Sequence, residues 1–138
     1  MDAIYARRSI RRYERDPVPR EQLLEKITEI HPFSSMLKQA PAAIMVCGDL
    51  SLEKYPGSWV QDCPAATQNI RLEIAGQGYG GVWLGVNPFE DRVKGLQRLC
   101  GLPASVAPLS LLAMGKPAEK KEPKDVFLEP RVRFNRCG

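Results

Sequence analysis

Three short apolar runs set the first limit on the fold: AAIMVC at 42–47, GVWLGV at 81–86 and PLSLLAMG at 108–115. Each is close to continuous rather than alternating apolar and polar, and each is bounded by glycine or proline. That pattern predicts strands covered on both faces. A chain of 138 residues has enough material for one hydrophobic core and little more. The three strands are therefore expected in one sheet, within a single domain over 1–138, with an α/β core as the default.

Segments of helical period lie around these runs. REQLLEKITEI at 20–30 places Leu23, Leu24, Ile27 and Ile30 on one stripe, and HP at 31 and 32 closes it. From Ser58 to Gly76, Trp59, Cys63, Ala66, Ile70 and Ile74 recur at steps of three and four, with Arg71 and Glu73 on the wet side. Pro64 must then sit near the first turn or bend the helix. Gly76, Gly78, Gly80 and Gly81 end that segment. Pro88 is the expected start of a further helix, with Val93, Leu96 and Leu99 inward and Gly101 and Pro103 as its stop. Residues 2 to 8 read as a short helix capped by Asp2. The chain turns polar and proline-bearing from about 116 to 138, as an arm.

Hydrophobic residues at 43% and charged residues at 26% exclude wholesale disorder. The net charge of +4 is concentrated at the ends, with Arg7, Arg8, Arg11, Arg12 and Arg15 within nine positions. Arg7 and Arg11 are four apart and share a helical face, and Ser9 adds a hydroxyl donor, so together they suit a phosphate. A solvated basic helix end is the plainer alternative. A nucleic-acid surface would add exposed aromatics or a known module, and the sequence has neither. Cys47, Cys63, Cys100 and Cys137 form no C-x-x-C pair, and His31 is the single histidine, so a structural zinc site is not expected. No apolar run approaches the roughly 20 residues of a membrane span, and the start of the chain has no apolar signal core. A reduced, cytosolic protein follows.

The glycines of GQGYGGVWLG follow a helix and precede a strand, the reverse of a dinucleotide-binding loop. Gly85, at the end of VWL, would let a flat ligand approach the backbone, or would simply end the strand. His31 reads as a helix-end residue, Cys63 as core and Asp62 as a helix-end charge. No nucleophile elbow or Ser-His-Asp order is present, as expected where a cofactor carries the chemistry.

MDAIYARRSIRRYERDPVPREQLLEKI, MLKQAPAAIMVCGD and WVQDCPAATQNIRLEIAGQGYGGVWLGVNP together resemble the nitroreductase family of FMN-dependent NAD(P)H oxidoreductases, in order and spacing, over most of the chain. The resemblance implies an α+β fold with a central, mostly antiparallel sheet flanked by helices. It also implies an intertwined homodimer with FMN at the interface, and a small-molecule electron acceptor as the other partner. Arg7, with Arg8 beside it, would hold the FMN phosphate, Ser9 the phosphate or ribityl chain, and Arg11 the pyrimidine end of the ring. A cation there would meet the negative charge of the reduced flavin. Trp83, Leu84 and Gly85 would lie beside the flavin N5, with Leu84 and Gly85 presenting backbone, and Lys124 and Arg131 of the arm would reach the phosphate.

One family feature is missing. Between the helix at 20–30 and the strand at 42–47, family members carry a polar loop of the type P-S-x-x-N-x-Q-P-W and a further strand, and neither is found in this sequence. The sheet is therefore expected to have one strand fewer. Two functions are compatible with this pattern. The first is hydride transfer from NADH or NADPH through FMN to a nitroaromatic, quinone or flavin. The second is a flavin-binding or dimeric scaffold without catalysis.

Overall fold

The computed structural model describes residues 21–124 and 127–135. Arg7, Arg8, Ser9 and Arg11 lie outside the described residues, as does the helix expected at 2–8.

In chain order the elements are helix α1 (Glu21–Ile30), strand β1 (Ala42–Asp49), helix α2 (Trp59–Gly76), strand β2 (Gly80–Gly85), helix α3 (Glu90–Cys100) and strand β3 (Val106–Gly115). Short 3-10 turns occupy Ser35–Lys38, Leu50–Leu52 and Glu129–Arg131. The strands form one antiparallel sheet in the order β1-β3-β2, with Ala43 opposite Ala113 and Leu84 opposite Leu111. The fold is thus α+β, with the mostly antiparallel sheet that the resemblance implied.

β3 is the central strand and meets the expectation of cover on both faces, with Ala107 through Ala113 buried, and β2 is largely buried as well, with Trp83 and Gly85 partly exposed. β1 is an edge strand and only half covered, with Ile44 36% exposed. Its apolar run is a hydrophobic edge rather than a buried centre. Pro108 sits inside the central strand although it has no N–H for the ladder. The register slips between Val46 and Cys47, where Cys47 pairs with Pro108 and Leu109 is left over as a bulge. That irregularity accommodates the proline. The Leu109 carbonyl then accepts from both Val86 and Asn87 N–H, at 3.0 and 3.1 Å, which fixes the end of β2 against the bulge.

The two faces of the sheet have different partners. On one, Val82, Leu84, Val86, Leu111 and Ala113 join Leu24 and Ile27 of α1, Leu96 of α3, and Met36 and Leu37 of the intervening turn in the main core. Leu23 departs from the expected stripe, 46% exposed, because Leu24, Ile27 and Ile30 already fill the strip of α1 that faces the sheet. α2 covers the other face. Its inner stripe is Cys63, Thr67 and Ile74, and Ala66 is exposed, so the apolar reading of this helix was rotated by the polar but buried Thr67. Gly48 and Gly81 bring α2 close: a side-chain carbon at Gly48 would stand 2.8 Å from Trp59 Cε3, and one at Gly81 3.4 Å from Ile74 Cγ2.

Pro64 lies in the second turn of α2, in the helix interior, and so leaves the Val60 carbonyl without its usual amide donor. Pro88 precedes α3 rather than opening it, and Phe89 occupies the cap position. Gly101, at φ 63°, ends α3 in the left-handed conformation that glycine tolerates best. No helix among the described residues is long and apolar enough to cross a membrane.

Candidate functional site

The residues that converge do so at the C-terminal end of β2. The starting point is the crossing of α1 and α3, where Gly95 has no side chain: a carbon there would lie 2.7 Å from Ile30 Cγ2. The close crossing brings His31, which follows the last residue of α1, against Arg92, one turn before Gly95. Both are buried, at 2% and 9% exposure.

His31 and Arg92 share one acceptor. His31 Nε2 lies 2.9 Å from the Gly85 carbonyl oxygen, and Arg92 Nη1 donates to the same oxygen at 2.9 Å. The backbone N–H of Phe33 donates to His31 Nδ1 at 3.3 Å, which makes Nδ1 the acceptor and leaves Nε2 to carry the proton and donate. Burial is the largest influence on this imidazole and pushes its pKa below the usual value, and the Arg92 charge pushes the same way against the bond to Gly85. These influences favour the neutral ring. His31 is therefore at a helix end, as expected, but is also bound across the fold to β2.

Arg92 was not singled out by the sequence, which marked only Val93, Leu96 and Leu99 on this helix. Its guanidinium lies over the Phe89 ring at 3.9 Å and near the Phe33 ring at 5.9 Å. Both aromatics are substantially exposed, so they form the lid that buries the cation. Arg92 Nε has no hydrogen-bond partner, and no carboxylate forms an ion pair with Arg92 among the described residues.

Because Val86 N–H bonds to β3, alternation in an antiparallel ladder turns the polar groups of Gly85 away from β3. The bonds from His31 and Arg92 confirm that direction for its carbonyl, and its N–H faces the same outer edge. A side-chain carbon at Gly85 would meet nothing within 4 Å. The strand end thus presents an outward N–H beside open space.

The other expected site residues divide. Leu84 is buried in the core between the sheet and α1 and α3, so its backbone alone is available. Trp83 points to the α2 face, where the Arg71 guanidinium lies 5.9 Å from its ring. Arg71 is half-buried there and bonds to Gln68 Oε1 at 3.1 Å, rather than standing on the wet side with the exposed Glu73. Lys124 and Arg131 are exposed in the C-terminal segment, and no hydrogen bond or ion pair among the described residues ties either to β2. Cys63 is core, its thiol pushed up in pKa by burial, and Asp62 stands in the first turn of α2, as expected.

No family model matches the chain. Two archaeal proteins, each named "Putative NADH dehydrogenase/NAD(P)H nitroreductase", are similar to it in sequence. The one from Methanothermobacter thermautotrophicus is 41% identical over 165 aligned positions, covering 99% of this chain and 86% of its own. The one from Archaeoglobus fulgidus is 45% identical over 115 positions, covering 83% of this chain and 64% of its own. Among solved structures, the "Putative NADH Oxidase" of Clostridium acetobutylicum superposes with a TM-score of 0.92 at 28% identity, over 99% of this chain and 100% of that one. The FMN-dependent nitroreductase of Clostridium difficile shares the fold, with a TM-score of 0.88 at 19% identity over 99% of this chain and 100% of that one. With sequence similarity over its whole length and a fold to match, this chain belongs to the nitroreductase family.

Proposed function

We propose that the chain is an NAD(P)H-dependent FMN oxidoreductase. The observation that carries the reading is Gly85: a strand end with an outward N–H and open space where any other residue would place a side chain. The edge of a flat ring system fits such a place, and a backbone N–H there suits a ring nitrogen that gains electron density on reduction. The names of the relatives and of the superposed structures point to the same chemistry.

Bound FMN would supply two-electron transfer, taking hydride from NADH or NADPH and passing it to a nitroaromatic, quinone or flavin acceptor. The chain's own residues would bind and orient. Gly85 offers its N–H, Leu84 offers backbone while its side chain anchors the strand in the core, and Trp83 packs alongside. Arg7 and Arg8 would neutralise the phosphate, Ser9 would hydrogen-bond the phosphate or ribityl chain, Arg11 would face the pyrimidine end of the ring, and Lys124 and Arg131 would come to the phosphate through dimer assembly. The homodimer is supported by the C-terminal segment, where Phe127, Leu128 and Phe134 are strongly exposed. Free thiols at Cys47, Cys63 and Cys100 support a reducing, cytoplasmic setting.

A scaffold that binds flavin without turnover is the second reading, and one observation favours it. The alignment with the Methanothermobacter protein has 165 positions against a chain of 138 residues, so at least 27 positions of that relative have no counterpart here. We place the gap between α1 and β1, where the polar loop and a strand are missing and β1 is left as an edge. The deciding experiment is the visible spectrum of the purified protein with FMN, recorded anaerobically before and after NADH or NADPH. Bleaching of bound flavin supports the oxidoreductase, bound flavin that stays oxidised supports the scaffold, and absence of binding overturns both.

A further inference from the structure

We propose that His31 and Arg92 act as a two-donor clamp on the Gly85 carbonyl that holds the flavin-facing backbone in one conformation, making both of them positioning residues for the cofactor. The proposal rests on the assignment of Gly85 to the flavin made above. A glycine that admits a ring has to give up its side chain, and with it the steric restriction that fixes φ and ψ. Something else must then hold that backbone. Gly85 is the last residue of β2 and its polar groups face away from β3, so the ladder does not hold its carbonyl.

The clamp provides what the ladder does not. A carbonyl oxygen has two lone pairs and can accept two bonds, and His31 Nε2, just beyond the end of α1, and Arg92 Nη1, from α3, both lie 2.9 Å from it. The two nitrogens are 3.5 Å from one another, both directed at the same oxygen. His31 is in turn oriented by the Phe33 N–H, and Arg92 by the rings of Phe89 and Phe33.

Arg92 distinguishes this arrangement from ordinary core packing. A buried guanidinium kept for stability alone is normally matched by a carboxylate, because desolvation of the charge is otherwise uncompensated. Here the cation has no such partner among the described residues, its Nε is unpartnered, and its donor goes to a glycine carbonyl. A hydrogen bond from a charged donor is shorter and stronger than a neutral one, which suits a bond whose task is to fix a position.

The test compares FMN affinity, the visible spectrum of bound flavin and its reduction potential in the full chain and its variants, with circular dichroism confirming the fold. His31→Leu and Arg92→Met are expected to weaken FMN binding at least about tenfold, or about 1.4 kcal/mol, and to shift the flavin spectrum and potential. His31→Gln, whose amide can still reach and donate to the Gly85 carbonyl, should restore all three close to the parent values. Folded His31→Leu and Arg92→Met proteins with the parent's affinity, spectrum and potential would overturn the clamp. If either variant does not fold, His31→Gln and His31→Asn decide. Both carry an amide but only the longer one reaches, so equal affinities overturn the clamp and a weaker Asn variant supports it. A parent protein that binds no FMN overturns the underlying assignment and the clamp with it, whereas a parent that binds FMN while the variants do not differ overturns the clamp alone.

Discussion

Thr67 of α2 and Ser110 of β3 join their hydroxyls at 2.9 Å, both fully buried between helix and sheet. Thr67 Oγ1 also donates to the Cys63 carbonyl at 2.7 Å, which commits its one hydrogen and makes Ser110 the donor in the pair. The bond fixes the rotation of α2 about its axis.

Thr67→Val keeps the shape and removes the acceptor, leaving a buried serine hydroxyl unpaired. The expected loss in a urea-unfolding experiment is about 1–3 kcal/mol. Adding Ser110→Ala should recover most of that loss, because the stranded donor is then gone. A double variant as unstable as the single one would show that the pair does not carry the cost.

At Gly85, stability and binding should separate. A methyl group there meets nothing within 4 Å, so Gly85→Ala is expected to leave the thermal midpoint unchanged or slightly raised. The same methyl would occupy the space assigned to the ring, and FMN binding should fall at least about tenfold. A fluorescence titration with FMN alongside thermal unfolding checks both halves.

Gly95→Ala should act the other way. In an open helix the change would stabilise by about 1 kcal/mol. Here the new carbon would stand 2.7 Å from Ile30 Cγ2, and α1 would have to move. A net destabilisation of about 1–3 kcal/mol is expected, with a second change, Ile30→Ala, relieving the clash. Equilibrium unfolding of the two single variants and the double variant measures the coupling.

The pH dependence follows from His31. Its pKa is held below the ordinary 6.5, first by burial and then by Arg92. The unfolded chain therefore takes up this proton at a higher pH than the folded chain, so stability is fully present above the unfolded value and is lost as pH falls below it. The thermal midpoint should decline from about pH 8 to about pH 5, and His31→Gln should flatten the decline over the imidazole range. An identical slope in the variant would assign the acid sensitivity to other groups.

For the basic segment, the role proposed for Arg7 implies that Arg7→Ala would remove a charge-assisted bond to phosphate worth about 1.5–3 kcal/mol. FMN binding should weaken by roughly 10- to 150-fold. Riboflavin, which has no phosphate, should bind the variant and the parent alike. Equal losses for the two ligands would move Arg7 away from the phosphate.

The three apolar runs and the helical periods determined the number, kind and order of the described elements, because burial of a strand or of one helix face leaves a periodic trace in the chain. They did not determine which strand is central. β1 and β3 look alike as sequence, and only pairing decides that β3 is covered on both faces while β1 is an edge. The inner face of α2 was rotated for a similar reason: Thr67 is polar by composition but satisfied in the core by Ser110, a residue 43 positions away. Gly85 could be singled out in advance because the absence of a side chain is itself a local signal. Its clamp could not, since a histidine at a helix end and an arginine on a polar helix face acquire their meaning only when Gly95 lets two helices cross closely enough to aim both at one carbonyl. Periodicity is a property of neighbours in the chain, whereas a shared acceptor between residues 54 and 7 positions away is a property of the folded molecule alone.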